Sequence, residues 1–194
     1  VKPAAYLTAI MKPEKYNSLT LLEDKPISLK QNDGSYWQPK NYDEVTHGNI
    51  ALHTALAKSY NLATVHLGMH LGLNEVVKTL HSLGLKTDIP EYPSLLLGAL
   101  DLSPFQVTQM YQTLASGGFL VPLRTIKEVL DKKGKPIQRY GLELKQTLDS
   151  RSVFITRYLL TEVASSGTAR SIAARLPAFL PLAGKTGTTN GLRD

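Results

Sequence analysis

Three short segments of the chain combine residue types that could carry out acyl-transfer chemistry. The chain opens with Val1-Lys2-Pro3, Ser59-Tyr60-Asn61 follows a helical run, and Lys185-Thr186-Gly187-Thr188-Thr189-Asn190 lies near the C-terminus. A lysine one helical turn after a serine can accept the proton of that serine when burial and neighbouring charge favour its neutral amine. Taken alone, a terminal lysine is normally a surface residue and Ser-x-Asn is normally a turn between helices. Ser59 and Asn61 alternate with Tyr60, so on an extended turn both side chains could face one cleft.

The Gly184-Lys185-Thr186 triplet also occurs in phosphate-binding loops, but the surrounding sequence excludes that type of site. A phosphate-binding loop requires a glycine five residues before its Gly-Lys pair, so that backbone N–H groups can surround the phosphates. Phe179 occupies that position, and the segment after Lys185 has the pattern of a strand rather than a helix. The sequence therefore predicts no nucleotide site here.

The composition is that of an ordinary folded domain. With 194 residues, 42% hydrophobic and 20% charged, the chain is long enough for one domain with a sizeable core. The net charge of +6 comes from scattered lysines and arginines, whereas nucleic-acid-binding proteins gather such residues on one face. His66 and His70 have the i, i+4 spacing of zinc enzymes, but no glutamate follows His66 and no third ligand stands out. We expect no cofactor, no metal and no nucleic-acid partner.

Hydrophobic periodicity and capping residues predict a mostly helical body. Ser103-Pro104-Phe105-Gln106 combines a cap, a proline at the first helical position and a capping-box glutamine. Pro3 is compatible with a helix only in its first turn. Helices are predicted over 2–11, 49–58, 62–71, 74–83, 104–115, 152–164 and 168–175. Hairpins are predicted around Asn32-Asp33-Gly34 and over 119–140 with a turn at 131–134, and a strand over 180–189.

The segments that carry these motifs resemble a known family, in order and at compatible spacings over essentially the whole chain. They are similar to the transpeptidase domain of class A penicillin-binding proteins, whose active-site elements are S-x-x-K, S-x-N and K-T-G. The resembling segments are Lys2-Pro3, Tyr6-Leu7-Thr8-Ala9, Trp37-Gln38-Pro39-Lys40-Asn41, Ala55-Leu56-Ala57-Lys58-Ser59-Tyr60-Asn61, Leu67-Gly68-Met69, Leu96-Leu97-Gly98-Ala99-Leu100, Thr113-Leu114-Ala115-Ser116-Gly117-Gly118, Gly167-Thr168-Ala169-Arg170 and the Lys185 segment.

The resemblance implies a mixed α/β (α+β) fold of the penicillin-binding protein and serine β-lactamase class. Residues 1–194 would form a partial transpeptidase domain, truncated at both ends, with one active-site strand and small hairpins beside a helical body. If Lys2 is the lysine of S-x-x-K, the nucleophilic serine lies two residues before Val1. The glycosyltransferase domain and membrane anchor of the family would also lie outside this chain. We therefore expect these 194 residues to be inactive alone.

The resemblance also implies an activity, which is cross-linking of peptidoglycan. The family's serine attacks a stem peptide ending in D-Ala-D-Ala, releases the last D-alanine, and passes the acyl group to an amine of a neighbouring stem peptide. β-Lactams mimic the D-Ala-D-Ala end and leave a slow acyl-enzyme. The implied partners are stem peptides, β-lactams and possible proteins of cell-wall synthesis, at the periplasmic face of the bacterial inner membrane.

The motifs carry the family's roles onto individual residues. Lys2 would be the general base, Ser59 a partner in proton relay, and Asn61 the residue that holds the substrate amide. Lys185 would add positive charge near the nucleophile.

The remaining implied residues line the strand side of the cleft and bind substrate. The hydroxyls of Thr186 and Thr188 would bind the terminal carboxylate, and Gly187 would let the backbone approach the ligand closely. The N–H of Thr188 would stabilise the oxyanion, and Asn190 completes the substrate-binding set.

Two other functions stay open at this point. A serine β-lactamase shares all three motifs, although the chain lacks the pattern of a deacylating glutamate. A non-catalytic module that holds stem peptides, or acts as a scaffold, would follow if the residue two before Val1 is not serine.

Overall fold

The computed structural model describes residues 1–31, 33–177 and 179–187, and helices dominate these ranges. The α-helices are α1 (Lys2–Ile10), α2 (Leu52–Lys58), α3 (Asn61–Leu71), α4 (Leu73–Ser82), α5 (Pro104–Ala115), α6 (Ser150–Ser165) and α7 (Arg170–Ala173), with a 3₁₀ helix at Pro93–Leu97. The strands are β1 (Leu21–Asp24), β2 (Leu29–Lys30), β3 (Tyr36–Trp37), β4 (Gly48–Ala51), β5 (Phe119–Leu120), β6 (Glu128–Leu130), β7 (Pro136–Arg139) and β8 (Lys145–Gln146).

Helix α1 lies at the centre of the core and packs against α3, α4 and α6. Every residue from Pro3 to Ile10 is buried, as its sequence requires, because apolar side chains lie all round the helix. Its two hydroxyl groups are paired: Tyr6 Oη lies 3.2 Å from Thr64 Oγ1, and Thr8 Oγ1 lies 2.7 Å from Thr79 Oγ1. These pairs satisfy polar groups that would otherwise be costly to bury.

The strands form four separate antiparallel pairs, β1 with β4, β2 with β3, β5 with β8, and β6 with β7. The β1–β4 pair joins Leu22 to Ile50 and Asp24 to Gly48, directly before α2 begins. This pair therefore fixes the position at which the chain enters α2 and brings Asp24 beside the start of α3.

Most of the predicted elements are confirmed. The helices expected over 2–11, 62–71, 74–83, 104–115 and 152–164 are present to within two residues at each end. Ser103 and Gln106 form the expected capping box, with Ser103 Oγ accepting from the Gln106 N–H. The hairpin around residues 33 and 34 is the β2–β3 pair.

Three predicted elements were wrong in part. The helix expected over 49–58 begins only at Leu52, because residues 48–51 pair with β1, a contact that local periodicity does not reveal. The hairpin expected over 119–140 is limited to β6 and β7, and β5 pairs instead with β8. The helix expected over 168–175 is the single turn of α7.

The strand expected over 180–189 is absent from the part of that range that is described. Residues 181–187 have no strand assignment, and none of the described strands pairs with them. A strand is defined by its hydrogen-bonded neighbour, so the extended pattern of this segment does not suffice.

None of the helices in the described ranges has the length and apolar character that crossing a membrane requires.

We predict that Gly167→Ala destabilises the fold, because Gly167 lies against the backbone of α2. A Cβ at this position would lie only 2.2 Å from the carbonyl oxygen of Ala57, so the two backbones must separate. Such overpacking costs about 1–3 kcal/mol. Urea unfolding followed by circular dichroism measures the change, with Gly141→Ala as the control because nothing lies within 4 Å of its added Cβ. Equal unfolding free energies for the two variants would contradict the prediction.

Candidate active site

The corner between α2 and α3 places two predicted site residues side by side. Helix α2 ends at Lys58, and the next residue, Ser59, has a left-handed φ of 61° and ψ of 34°. The Tyr60 N–H closes the turn on the Ala55 carbonyl at 3.0 Å. Tyr60 returns to extended geometry, and Asn61 is the first residue of α3. The chain thereby turns sharply enough for Ser59 and Asn61 to face the same side, as their alternation with Tyr60 predicts.

Lys2 fills the space in front of this corner. Its Nζ donates to Asn61 Oδ1 at 2.6 Å, to the Ser59 carbonyl at 2.8 Å and to Ser59 Oγ at 3.0 Å. The three residues are up to 59 positions apart in sequence, and the packing of α1 against α2 and α3 brings them together. Lys2, Ser59 and Asn61 therefore form one hydrogen-bonded cluster.

The amine of Lys2 is poised to lose its proton near neutral pH. Burial, and to a lesser extent the positive charge of Lys185, together lower the pKa of Lys2 to about 7. A lysine in this state exchanges protons readily with a neighbouring hydroxyl group, which is what a general base requires.

Lys185 lies near enough to Lys2 for its charge to act on that amine, in a segment without regular structure. Its Nζ donates to Thr186 Oγ1 at 3.2 Å and to the Thr186 carbonyl at 3.3 Å. Burial lowers the pKa of Lys185 to about 8, so this side chain is still mostly protonated at pH 7. It supplies a positive charge near Lys2, whose pKa of about 7 leaves a large fraction of its amine neutral at pH 7.

Two contacts tie the Lys185 segment to the helical body. The Gly184 N–H donates to the Leu160 carbonyl of α6 at 3.2 Å, and Thr186 Oγ1 lies 2.6 Å from Thr168 Oγ1. The Thr168 N–H in turn donates to the Ala57 carbonyl of α2 at 3.1 Å. The Lys185 segment is thus linked to α2 through the turn after α6.

The other predicted substrate-binding residues are only partly covered by the structure. The space where a Cβ of Gly187 would lie is open, with nothing within 4 Å, which suits the close approach of a ligand. Thr188 and Asn190 lie outside the described residues.

Sequence reasoning gave no role to three further residues that contact the site. Asp24, Asn41 and His47 converge behind the corner from β1 and the loop before β4, and His47 stacks on Tyr60 with ring centroids 4.0 Å apart. Their spacing matches no catalytic motif. The signal available was the Trp37–Asn41 segment, which shares in the family resemblance.

The histidine pair considered as a zinc site makes other contacts. His66 Nε2 lies 3.1 Å from the Lys25 carbonyl, and the rings of His66 and His70 are stacked 6.4 Å apart. Within the described ranges, no group of three or more potential ligands is placed to hold a metal ion.

Comparison with known families finds one match over nearly the whole chain. Residues 1–193 match the model described as the penicillin-binding protein transpeptidase domain. Penicillin-binding protein 1B of Vibrio cholerae serotype O1 is 45% identical over 195 residues, which cover 100% of this chain and 25% of that protein. The chain thus spans about a quarter of the length of the curated relatives it matches.

Solved structures show the same fold. Penicillin-binding protein 1A from Haemophilus influenzae superposes with a TM-score of 0.89 and 23% identity, covering 97% of this chain and 33% of that one. The imipenem acyl-enzyme complex of penicillin-binding protein A from M. tuberculosis gives a TM-score of 0.78 and 19% identity, covering 96% and 47%. The expected fold class is confirmed.

We predict that Lys185→Gln raises the pKa of Lys2 above about 7, because the substitution removes the positive charge that lowers it. Burial still acts on Lys2, so its pKa stays below the ordinary value of 10.5. An NMR titration of isotope-labelled lysine side chains measures the midpoint. The control is Lys78→Gln, which removes an exposed lysine paired with Glu75. A Lys2 midpoint that is the same in both variants would contradict the prediction.

Proposed function

Because the chain belongs to the penicillin-binding protein transpeptidase family, we propose that it supplies most of the active site of a peptidoglycan D,D-transpeptidase. The observation that carries the proposal is the cluster in which Lys2 Nζ contacts both Ser59 Oγ and Asn61 Oδ1. These are the side chains that the S-x-x-K and S-x-N elements require to meet. The parent protein would cross-link stem peptides through a serine acyl-enzyme and bind penicillin.

The nucleophile in this proposal is a serine two residues before Val1 in a longer protein. Its Oγ attacks the carbonyl of the penultimate D-alanine while its proton passes to the neutral amine of Lys2. The tetrahedral intermediate then expels the terminal D-alanine, whose amino group must gain a proton. Ser59 Oγ, 3.0 Å from Lys2 Nζ, is placed to relay that proton.

The acyl-enzyme is resolved by the amine of a second stem peptide. The amine attacks the ester carbonyl, its proton returns through Lys2, and the serine leaves with a proton restored. A new amide bond forms as the ester bond breaks, so no oxidant or cofactor is required.

Substrate binding is assigned to the two sides of the cleft. Asn61 would hold the amide of the stem peptide, while Lys185 and the hydroxyl of Thr186 would attract its terminal carboxylate. The pKa of Lys185, about 8, supports this role because the side chain keeps its positive charge at neutral pH. We assign the second threonine of the motif, Thr188, to the carboxylate and the oxyanion, and Asn190 to substrate contact, from the motif alone.

The setting of the parent protein follows from its relatives rather than from this chain. We propose a bifunctional enzyme, with a glycosyltransferase domain and a membrane anchor, acting at the periplasmic face of the inner membrane. Its substrates would be peptidoglycan stem peptides, its inhibitors β-lactams, and proteins of cell-wall synthesis would be its possible partners.

We predict that the 194-residue chain does not form a covalent adduct with benzylpenicillin, whereas the longer gene product does. The reason is that Lys2, Ser59 and Asn61 can activate a serine but do not replace it. Intact-protein mass spectrometry detects the adduct, and replacing the serine three residues before Lys2 with alanine is the control. Labelling of the short chain, or of the alanine variant, would contradict the proposal. Binding without acylation in the longer protein would favour the non-catalytic alternative, and rapid release of hydrolysed penicillin would favour a β-lactamase.

We predict that the acylation rate of the longer protein rises as the pH passes through about 7. The pKa of Lys2, lowered mainly by burial to about 7, sets the pH above which its amine is neutral and able to accept the proton. Stopped-flow measurement of acylation between pH 5 and 9, within the range where catalytic lysines titrate, gives the profile. A rate that is flat across this range would exclude Lys2 as the base.

A further inference from the structure

Asp24 is a fully buried carboxyl group whose partners all lie near the start of α3. Its relative exposure is 0%. Oδ2 accepts from His47 Nδ1 at 2.7 Å, from Asn41 Nδ2 at 2.8 Å and from the His47 N–H at 2.9 Å, and Oδ1 accepts from the Ala63 N–H at 3.1 Å. A buried carboxyl group is tolerated only with such full pairing. Asp24 therefore fixes Asn41, His47 and the first turn of α3 relative to one another.

Asn41 supplies the cap that α3 lacks in its own sequence. The N-cap residue Tyr60 makes no side-chain cap, so the first N–H groups of the helix need acceptors from elsewhere. Asn41 Oδ1 accepts from the Asn61 N–H at 2.7 Å and from the Leu62 N–H at 3.2 Å. The cap comes from a loop 20 residues upstream, and its orientation is set by the hydrogen bond from Asn41 to Asp24.

The same loop fixes the orientation of the Asn61 side chain. Asn61 Nδ2 donates to the Lys40 carbonyl at 2.8 Å. Because a carbonyl can only accept, the amide nitrogen must face Lys40, and Oδ1 must face Lys2, whose Nζ lies 2.6 Å away. The peptide segment of Lys40 and Asn41 thus holds both the backbone and the side chain of Asn61.

We propose that Asn41, held in place by Asp24, is a positioning residue that aims Asn61 Oδ1 at Lys2. The proposal rests on the proposed function for its kinetic consequences, and on the hydrogen bonds above for its structural ones. Without the Asn41 side chain, the Asn61 and Leu62 N–H groups lose their acceptor and the Lys40–Asn41 segment loses its bond to Asp24, so Asn61 is held less firmly towards Lys2. Misplacement of about 1 Å at a catalytic contact can cost on the order of 100-fold in rate.

The groups around Lys2 determine in which direction the pH midpoint of acylation moves when Asn41 is replaced. Lys2 faces the positive charge of Lys185, and in this chain the amino group of Val1, while its acceptors are the oxygens of Ser59 and Asn61. Loss of the Asn61 acceptor removes a contact that favours the protonated amine. The midpoint of the acylation profile should therefore move to lower pH when Asn41 is replaced.

The test compares Asn41→Ala with the unaltered protein, using the longer gene product and benzylpenicillin. We expect the limiting acylation rate to fall about tenfold or more, with the pH midpoint shifted downward. Thr113→Val, in α5, is the matched control. It removes a fully buried hydroxyl that donates to the Leu83 carbonyl at 3.1 Å. The control should lower the unfolding free energy without moving the pH midpoint.

A double substitution separates positioning from simple loss of stability. Asn41→Asp places a second carboxyl group 2.8 Å from that of Asp24 and should slow acylation strongly. Adding Asp24→Asn removes one of the two facing carboxyl groups, so the double variant should acylate faster than Asn41→Asp alone. It should stay slower than the unaltered protein, because Asp24 Oδ2 also accepts from the His47 N–H at 2.9 Å. An equally slow double variant would overturn the assigned pairing of these two residues.

Hydrogen exchange gives a readout that does not depend on activity. Asn41→Ala should increase exchange at the amides of Asn61 and Leu62, and Thr113→Val should leave them protected. If the unaltered protein is not acylated at all, the proposed function fails, and exchange at these two amides still decides whether Asn41 orders Asn61. Unchanged exchange, or an unchanged acylation rate and pH midpoint in the folded variant, would overturn the inference.

Discussion

The hydrogen bonding of one partly buried lysine amine is the constraint on which the site depends. Lys2 is drawn from water far enough to lower its pKa to about 7, and its Nζ then requires acceptors from the protein. All three acceptors are at the α2–α3 corner. This explains why Ser59 keeps a left-handed φ of 61°, a conformation that costs a residue other than glycine about 1–3 kcal/mol. In that conformation both its carbonyl and its hydroxyl reach Lys2.

The burial of α1 gives this lysine a fixed direction. Because every side chain from Pro3 to Ile10 is buried, rotation of the helix would separate Tyr6 from Thr64 and Thr8 from Thr79. Separation from Thr64 would leave the buried Tyr6 hydroxyl without this partner, at about 1–3 kcal/mol. Hydroxyl pairs deep in the core therefore determine where the amine of Lys2 lies at the surface of the cleft.

Elements with local signals were predictable from the sequence, and elements made by distant contacts were not. The capping box at Ser103 needs only residues within one turn, and it is present as expected. Strand β4 begins 24 residues after β1 ends, so the apolar spacing of residues 49–58 predicts one helix although its first part is a strand. The segment around Lys185 failed as a strand for the related reason that no described strand lies beside it.

The residues of the candidate site fall into the same two groups, those predictable from local motifs and those revealed only by the fold. The cluster of Lys2, Ser59 and Asn61 was expected from its motifs, because each motif is a short pattern with a known chemical reason. The residues that hold this cluster in place, Asp24 and Asn41, were not predicted, because they are ordinary polar residues in a loop-rich stretch. Only the fold shows that Asp24 is fully buried and that Asn41 caps a helix from outside. Motifs identify the candidate substrate-contacting residues, whereas the residues that orient them are found by following buried polar groups.

The two lysines of the cleft are distinguished by the acceptors that surround them and by their mutual repulsion. Both pKa values are lowered by burial, to about 7 for Lys2 and about 8 for Lys185. The positive charge of Lys185 opposes protonation of Lys2. The positive charge that would attract an anionic substrate is thus also a cause of the neutral amine that would activate the nucleophile. In the proposed function, this one electrostatic interaction would serve both binding and proton transfer, which gives a physical reason for the two lysines to lie near each other.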